Sequence, residues 1–232
     1  RGLVSREGDA LIPHAPLPEL LEHLSEGSSI SLGSRVSGLE LMEGGIRVTT
    51  ESDGDGEVCR CDRVIVAVPV EQASEIASDL GIDIDGESIP SIVAWGFCDS
   101  IPEEVPDGFR IHDLGNSTTM VELSTEMSGQ LIDLDKRSLS KIITDSIGIS
   151  GEGWKAHKWR YSRASSGPGS VVTKDGVSFI GDAFGNDIGS AGASLDSASR
   201  AVSNLHLSVL EPVSYTHLRA HETRHDLVCR LL

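Results

Sequence analysis

Aromatic residues are scarce: two Tyr, four Phe and three Trp make up 4% of the 232 residues, a composition that weighs mildly against a long apolar substrate tunnel. Basic residues are outnumbered, with 19 Lys and Arg against 36 Asp and Glu, so the chain carries a net charge of −17. Such an excess repels phosphate backbones and anionic headgroups, which sets nucleic acid and anionic membrane surfaces aside as partners. The carboxylates are scattered (Asp53, Asp55, Glu57, Glu103, Glu104, Asp107), as on a solvated acidic surface. Four cysteines do not make a disulfide framework in a chain of this size. Cys59 and Cys61 flank Arg60 on a predicted strand and so point to one face, without a second pair to complete a metal set. No signal-peptide pattern and no apolar run long enough to span a bilayer appears, so the cytoplasm is the default location. A G-x-G-x-x-G turn is also missing throughout, and the first residue is Arg1 rather than Met.

What is present is concentrated in residues 176–202, GVSFIGDAFGNDIGSAGASLDSASRAV. A short apolar strand, Val177 to Ile180, runs into Gly181-Asp182, then a Gly-rich turn, then a helix whose first turn is built of small residues. A carboxylate at the end of a strand reaches a sugar hydroxyl, and free N–H groups at a helix start face anionic or polar ligand atoms. Gly189 and Gly192, lacking Cβ atoms, allow close backbone approach. Gly-Asp before a helix also occurs in many loops, where the Asp caps or turns the chain.

The remaining pattern alternates strands with helices. Leu17, Leu20, Leu21 and Leu24 fall at i, i+3, i+4 and i+7, with Gly27 beyond the end, which predicts an amphipathic helix over 17–25. ISLGSRV, LELME and IRVTTES around Gly44-Gly45, followed by EVCRC, predict a small β-meander. DRVIVAVPV is almost wholly apolar, as expected of a strand buried on both faces in a parallel sheet. A short helix follows Pro69. SIVAWGFC, STTMVELS and QLIDL predict antiparallel strands over 91–133, with a Pro-rich loop at 101–108. Leu139, Ile142, Ile143 and Ile147 predict a helix. His157, Trp159 and Tyr161 alternate on a strand and share a face, with Lys158 and Arg160 turned to solvent. A last helix aligns Ala191, Leu195, Ala198, Val202 and Leu205.

Four blocks in order, APLPELLEHLSEG (15–27), ISLGSRVSGLELMEGGIRVTT with DRVIVAVP (30–50 and 62–69), AHKWRYSRA (156–164) and FIGDAFG with its helix (179–205), carry a resemblance. The chain resembles the C-terminal part of the flavin-dependent amine oxidase superfamily, in particular renalase-like NAD(P)/FAD-dependent oxidoreductases. The resemblance covers roughly residues 10–210, and 85–150 match only in general character. It implies an α/β fold: a partial FAD-binding Rossmann-like domain whose first βαβ unit is missing, and a second, antiparallel-sheet substrate domain. Residues 10–80 and 174–210 would form the FAD-binding part and 85–165 the substrate domain.

The resemblance also assigns roles. Asp182 would accept hydrogen bonds from the ribityl hydroxyls of FAD, with Gly181 and Ala183 placing backbone near the pyrophosphate. Ala191, Gly192 and Ala193 would present helix amides to the isoalloxazine, and Val36 would read the adenine edge through its main chain. His157, Trp159 and Tyr161 would lie on the substrate side and sandwich a flat or cationic molecule. The implied activity is hydride transfer to flavin from an amine or a reduced nicotinamide-like small molecule, with this chain alone inactive because it is truncated. Asn186-Asp187 departs from the usual less charged turn. Two alternatives stay open: a desaturase or isomerase of the carotenoid or protoporphyrinogen oxidase type, and a non-enzymatic acidic binding module.

The far end carries a competing motif. His221-Glu222-Thr223-Arg224-His225 fits H-E-x-x-H, the zinc-peptidase pattern, and His217 extends the spacing. PVSYTHLRAHET (212–223), however, reads as one frame of a transposase sequencing adapter, and DLVCRLL (226–232) as its downstream primer. Residues 212–232 are therefore expected to be an adapter-derived tail, and no metal site is assigned to them.

Overall fold

The computed structural model describes residues 4–7, 10–13, 17–52, 55–98, 100–102, 104–115, 117–149 and 153–209. The histidine motif and the rest of the 212–232 segment lie outside them. Within them, the chain is a mixed α/β fold of largely antiparallel sheets around two apolar cores.

The first core gathers residues of a three-stranded meander, of a short parallel pair and of the helix between its strands; a hairpin and a helix precede them in the chain. Strands β1 (Val4–Glu7) and β2 (Ala10–Pro13) form a hairpin, and helix α1 (Leu17–Leu24) follows where its leucine spacing predicts. The meander forms as β3 (Arg35–Met42), β4 (Gly45–Ser52) and β5 (Asp55–Cys61), all antiparallel. Its β3–β4 turn needs a left-handed residue, supplied by Gly44 at φ 77°. The apolar run after the meander yields only a three-residue strand, β6 (Val64–Val66), because Pro69 halts it and caps helix α2 (Val70–Asp79). Val70, Ala73 and Ala77 face inward from α2.

The second core lies under a four-stranded antiparallel sheet. Its strands are β7 (Glu87–Phe97), β8 (Phe109–Gly115), β9 (Thr118–Leu123) and β10 (Lys155–Ser166), in the order β10-β7-β9-β8. Helices α3 (Thr125–Leu131) and α4 (Lys136–Ile147) pack on one face. Period-two alternation puts Ile92, Ala94, Val121 and Leu123 against those helices, where Leu139, Ile143 and Ile147 meet them at i, i+4 and i+8. Asp135 caps α4 by accepting the N–H groups of Arg137 (2.9 Å) and Ser138 (3.0 Å), and Gly148 ends it in the left-handed conformation.

The chain then returns to the first core. Strand β10 reaches it with Ala164, β11 (Val172–Lys174) pairs antiparallel with β12 (Val177–Phe179), and β12 lies parallel to β6 with Phe179 beside Val66. Helix α5 (Ala191–Val209) closes the described chain. Among the described residues no helix is long and apolar enough to cross a membrane.

Three expectations change. QLIDL is not a strand: Ser124 accepts the Met127 N–H at 3.3 Å and starts helix α3, which carries the chain through Leu131 into a turn. FRIHDLG, which follows the expected Pro-rich loop, supplies the outer strand β8 instead. Helix α5 buries Ala193, Ser197 and Ala201 rather than the Leu195 stripe, and Leu195 is 68% exposed. Small residues win that face because the helix rests directly on backbone: a Cβ on Gly185 would lie 2.3 Å from the Ala193 carbonyl oxygen.

Candidate functional site

Parallel strands end together, and their carboxyl ends leave a crevice that ligands use in α/β sheets. Here the chain leaves β6 toward Pro69 and leaves β12 toward Gly181-Asp182, and between these ends and the start of α5 lies an open cleft of about 310 Å³. Pro69, Ser88, the Tyr161–Ala164 segment of β10, Asp182, Gly189, Ser190, Ala191 and Ser194 line it.

The loop carrying Asp182 is held from several sides. Phe179 and Phe184 are fully buried in the first core and anchor its ends, their rings 6.5 Å apart. Ser197 Oγ on α5 accepts the Gly181 N–H at 3.0 Å, which fixes the residue before Asp182. The Gly189 N–H donates back to the Asp182 carbonyl at 3.0 Å and closes the loop. Gly189, at φ 83°, backs onto β10 so closely that a Cβ would lie 2.3 Å from the Ala164 carbonyl oxygen. The missing Cβ of Gly189 thus serves contact with protein, while Gly192 meets only Ser190 Oγ, at 3.4 Å, and opens outward.

Asp182 has a structural duty as well as an open side. Its Oδ2 accepts the Ala164 N–H at 2.7 Å, and its Oδ1 has no partner among the described residues. Helix capping falls to Ser190, whose Oγ accepts the Ala193 N–H at 3.0 Å. That removes Ala193 from the amides open to a ligand and leaves those of Ala191 and Gly192, the first two of the helix. Gly181 and Ala183 are committed inward too, the Ala183 carbonyl accepting the Gly169 N–H at 2.9 Å. Ser88 is held by Glu71, whose carboxylate accepts both its N–H (2.5 Å) and its hydroxyl (2.9 Å).

Arg163 is the residue the sequence reading missed. Its place on the cleft wall puts a cation with no ion pair among the described residues beside the α5 N-terminus, in a chain of net charge −17. The signal available in the sequence was only its position four residues after Trp159, inside a block read for its aromatics.

The aromatic row does not reach the cleft as a unit. His157 stacks on Trp95 of β7 at 4.3 Å and lies 6.0 Å from Trp159, on the sheet face away from α3 and α4. Between Trp159 and Arg163 the β10 register shifts, which breaks the strict alternation. Only Tyr161 of the three lines the cleft. Lys158 and Arg160 are not simply solvated: Lys158 Nζ donates to the Ile132 and Leu134 carbonyls at 2.7 Å each, and Arg160 pairs with Asp133. Val36 sits on the outer strand β3, partly exposed and outside the cleft lining.

Residues 4–82, about a third of the chain, match the family of flavin-containing amine oxidoreductases, and FAD is the cofactor that match indicates. No curated protein sequence matches the chain. Among solved structures, the Diels-Alderase PyrE3 of pyrroindomycin biosynthesis is similar with a TM-score of 0.55 at 20% identity, over 88% of this chain and 48% of that one. AlpK is similar with a TM-score of 0.52 at 16% identity, over 90% of this chain and 49% of that one. CabE, an aromatic hydroxylase from angucycline biosynthesis, gives a TM-score of 0.52 at 12% identity over 82% of this chain and 42% of that one. The chain spans about half the length, or less, of the structures it matches.

Proposed function

We propose that the cleft between Asp182, Arg163 and the start of α5 is the part of an FAD site contributed by this chain, within a flavin-dependent oxidoreductase. One observation carries the reading. Asp182, with one carboxylate oxygen bound and the other open among the described residues, lines one cleft at the carboxyl ends of the parallel pair together with the start of α5 and with Arg163, which has no ion pair among the described residues. The partly Rossmann-like character rests on that parallel pair with α2 and α5 beside it.

The residues divide the work by charge. Asp182 Oδ1 accepts hydrogen bonds from ribityl hydroxyls, which are donors. Arg163 and the Ala191 and Gly192 amides face the anionic and carbonyl parts of the ligand, where the helix dipole adds to the guanidinium. Val36 offers main-chain groups from β3 to the adenine edge. FAD, when bound, supplies the redox chemistry by accepting hydride from the substrate. Tyr161, the aromatic residue of the cleft lining, would touch a substrate near the flavin, while His157 and Trp159 lie farther along β10.

The substrate is an amine or a reduced nicotinamide-like small molecule. Hydroxylation of an aromatic compound is the second reading, favoured by the likeness in fold to CabE and by the aromatic face of the four-stranded sheet. Anaerobic mixing with FAD-loaded protein separates them: bleaching of the flavin by the amine or dihydronicotinamide alone supports the first. Bleaching by NAD(P)H only when an aromatic compound is added supports the second.

The site itself is tested by flavin titration. Asp182→Ala is expected to weaken FAD and riboflavin together. Arg163→Gln is expected to weaken FAD by roughly tenfold to a hundredfold, the worth of a charge-assisted hydrogen bond, and to leave riboflavin, which has no phosphate, unchanged. A wild-type chain that quenches neither flavin would overturn the reading.

A further inference from the structure

We propose that Cys59 and Cys61 form a chelating dithiol for a soft, thiophilic d10 cation of the zinc or cadmium type, on a part of the fold remote from the cleft lining. Both lie on β5, an outer strand of the β3-β4-β5 sheet, opposite Val48 and Ile46. Cys59 is exposed and Cys61 half-buried, and their sulfurs are 3.6 Å apart, outside bonding distance of one another.

That separation suits a metal better than a disulfide. Two residues apart in a strand, Cα atoms lie about 6.7 Å from each other, at the far edge of what a disulfide spans, and the Cβ atoms are farther apart than the roughly 3.8 Å it needs. Closing the bond would buckle β5 and break its pairing with β4. Two metal–sulfur bonds of about 2.3 Å ending on atoms held 3.6 Å apart instead meet at about 103°, close to the tetrahedral angle.

The scaffold holds this bite. Arg60, between the cysteines, points the other way and clamps the β3–β4 turn through the Glu43 (2.7 Å) and Gly44 (3.0 Å) carbonyls. Gly45 lets β4 approach so closely that a Cβ there would lie 2.9 Å from the Cys61 carbonyl oxygen. Among the described residues no third His, Cys, Asp or Glu completes a metal cluster, and the two thiolates are the ligands this proposal assigns. Net charge −17 favours a cation near the surface. Each thiol gives its proton to buffer as its bond to the cation forms; two protons leave per ion, and nothing is oxidised or reduced.

The test is titration of the reduced chain with Cd2+, followed by thiolate-to-cadmium charge-transfer absorption. One ion per chain is expected. Cys59→Ser or Cys61→Ser should each weaken it by roughly two orders of magnitude, whereas Cys98→Ser and the pair His221→Ala, His225→Ala should leave it unchanged. In the wild type, Cd2+ should slow alkylation of Cys59 and Cys61 but not of Cys98, a readout that needs no variant to fold. Equal affinity and absorption in Cys59→Ser would overturn the proposal. So would spontaneous formation of a Cys59–Cys61 disulfide in air, seen as the loss of two hydrogens by mass spectrometry.

Discussion

The two cores are closed by different means. Under the four-stranded sheet, α3 and α4 cover one face with branched aliphatic side chains, and Leu139 and Ile143 are fully buried. Around the cleft, small residues do the closing: Ala73, Ala77, Ala183, Ala193 and Ala201 are buried, and glycines press on backbone. On α5 the large apolar Leu195 stays outside, at 68% exposure. A core of interlocked aliphatic groups makes a rigid floor, whereas close backbone-on-backbone contact positions peptide groups. Positioned peptide groups and a fixed carboxylate are what the cleft is built from.

The sharpest way to break this contrast is to give the cleft region a side chain it excludes. Gly185→Val would put a Cβ 2.3 Å from the Ala193 carbonyl oxygen, against backbone that cannot turn aside. A loss of more than about 4 kcal/mol is expected by urea unfolding. Amide exchange should then show protection lost first in α2 and β12 while α4 and β9 stay protected. Equal loss in both regions would mean that the two cores unfold as one unit.

Leu139→Ala makes the mirror experiment. It empties a fully buried site between α4 and the sheet and should cost about 2–5 kcal/mol, with the spread set by how far the helix collapses into the gap. Exchange should now accelerate first in α4 and β9, and FAD titration of the still-folded protein should be nearly unchanged.

Ser197→Ala acts on the cleft more gently. It leaves the part-buried Gly181 N–H without its acceptor, at a cost of about 1–3 kcal/mol. Because Gly181 precedes Asp182, flavin affinity should fall as well. Loss of stability with unchanged flavin titration would separate the loop's folding from its proposed duty.

This contrast also explains what could be read in the sequence. Periodicity located α1 and α4, Pro69 marked the start of α2, and the Gly44-Gly45 turn located the meander, because aliphatic spacing, proline and glycine at a left-handed turn are local signals. The apolar run of DRVIVAVPV pointed to a parallel sheet without saying which strand pairs with it, and its three-residue length was decided by Pro69. In the cleft region the same method picked the wrong face of α5. Hydrophobicity favours Leu195, yet the buried stripe is Ala193, Ser197 and Ala201, chosen by closeness to the loop below. Asp182 and Ala191 were legible as cleft residues because Gly-Asp and the small first turn stand together. Arg163 and Ser197 were not: Arg163 follows a register shift in β10, and Ser197 meets the Gly181 N–H only through a helix crossing, and periodicity records neither.

The smallest effect belongs to the helix-capped side of the comparison, where one carboxylate is shifted. The Ser138 hydroxyl, then the Ser138 and Arg137 N–H groups, hold the Asp135 carboxyl below its ordinary range. A folded-state value lower than the unfolded one stabilises fully above the ordinary carboxylate range and ceases to do so as pH falls through the lowered value. The group is fully exposed, so solvent and salt screen much of the effect. Asp135→Asn keeps a capping oxygen and removes the charge. It should therefore lower the melting temperature by no more than a few degrees near neutral pH, with the gap to the wild type narrowing as the solution is acidified and closing once Asp135 is protonated. A gap that stays constant across that range would show that the cap acts through shape alone, and that charge at the start of α4 contributes nothing to the closing of its core.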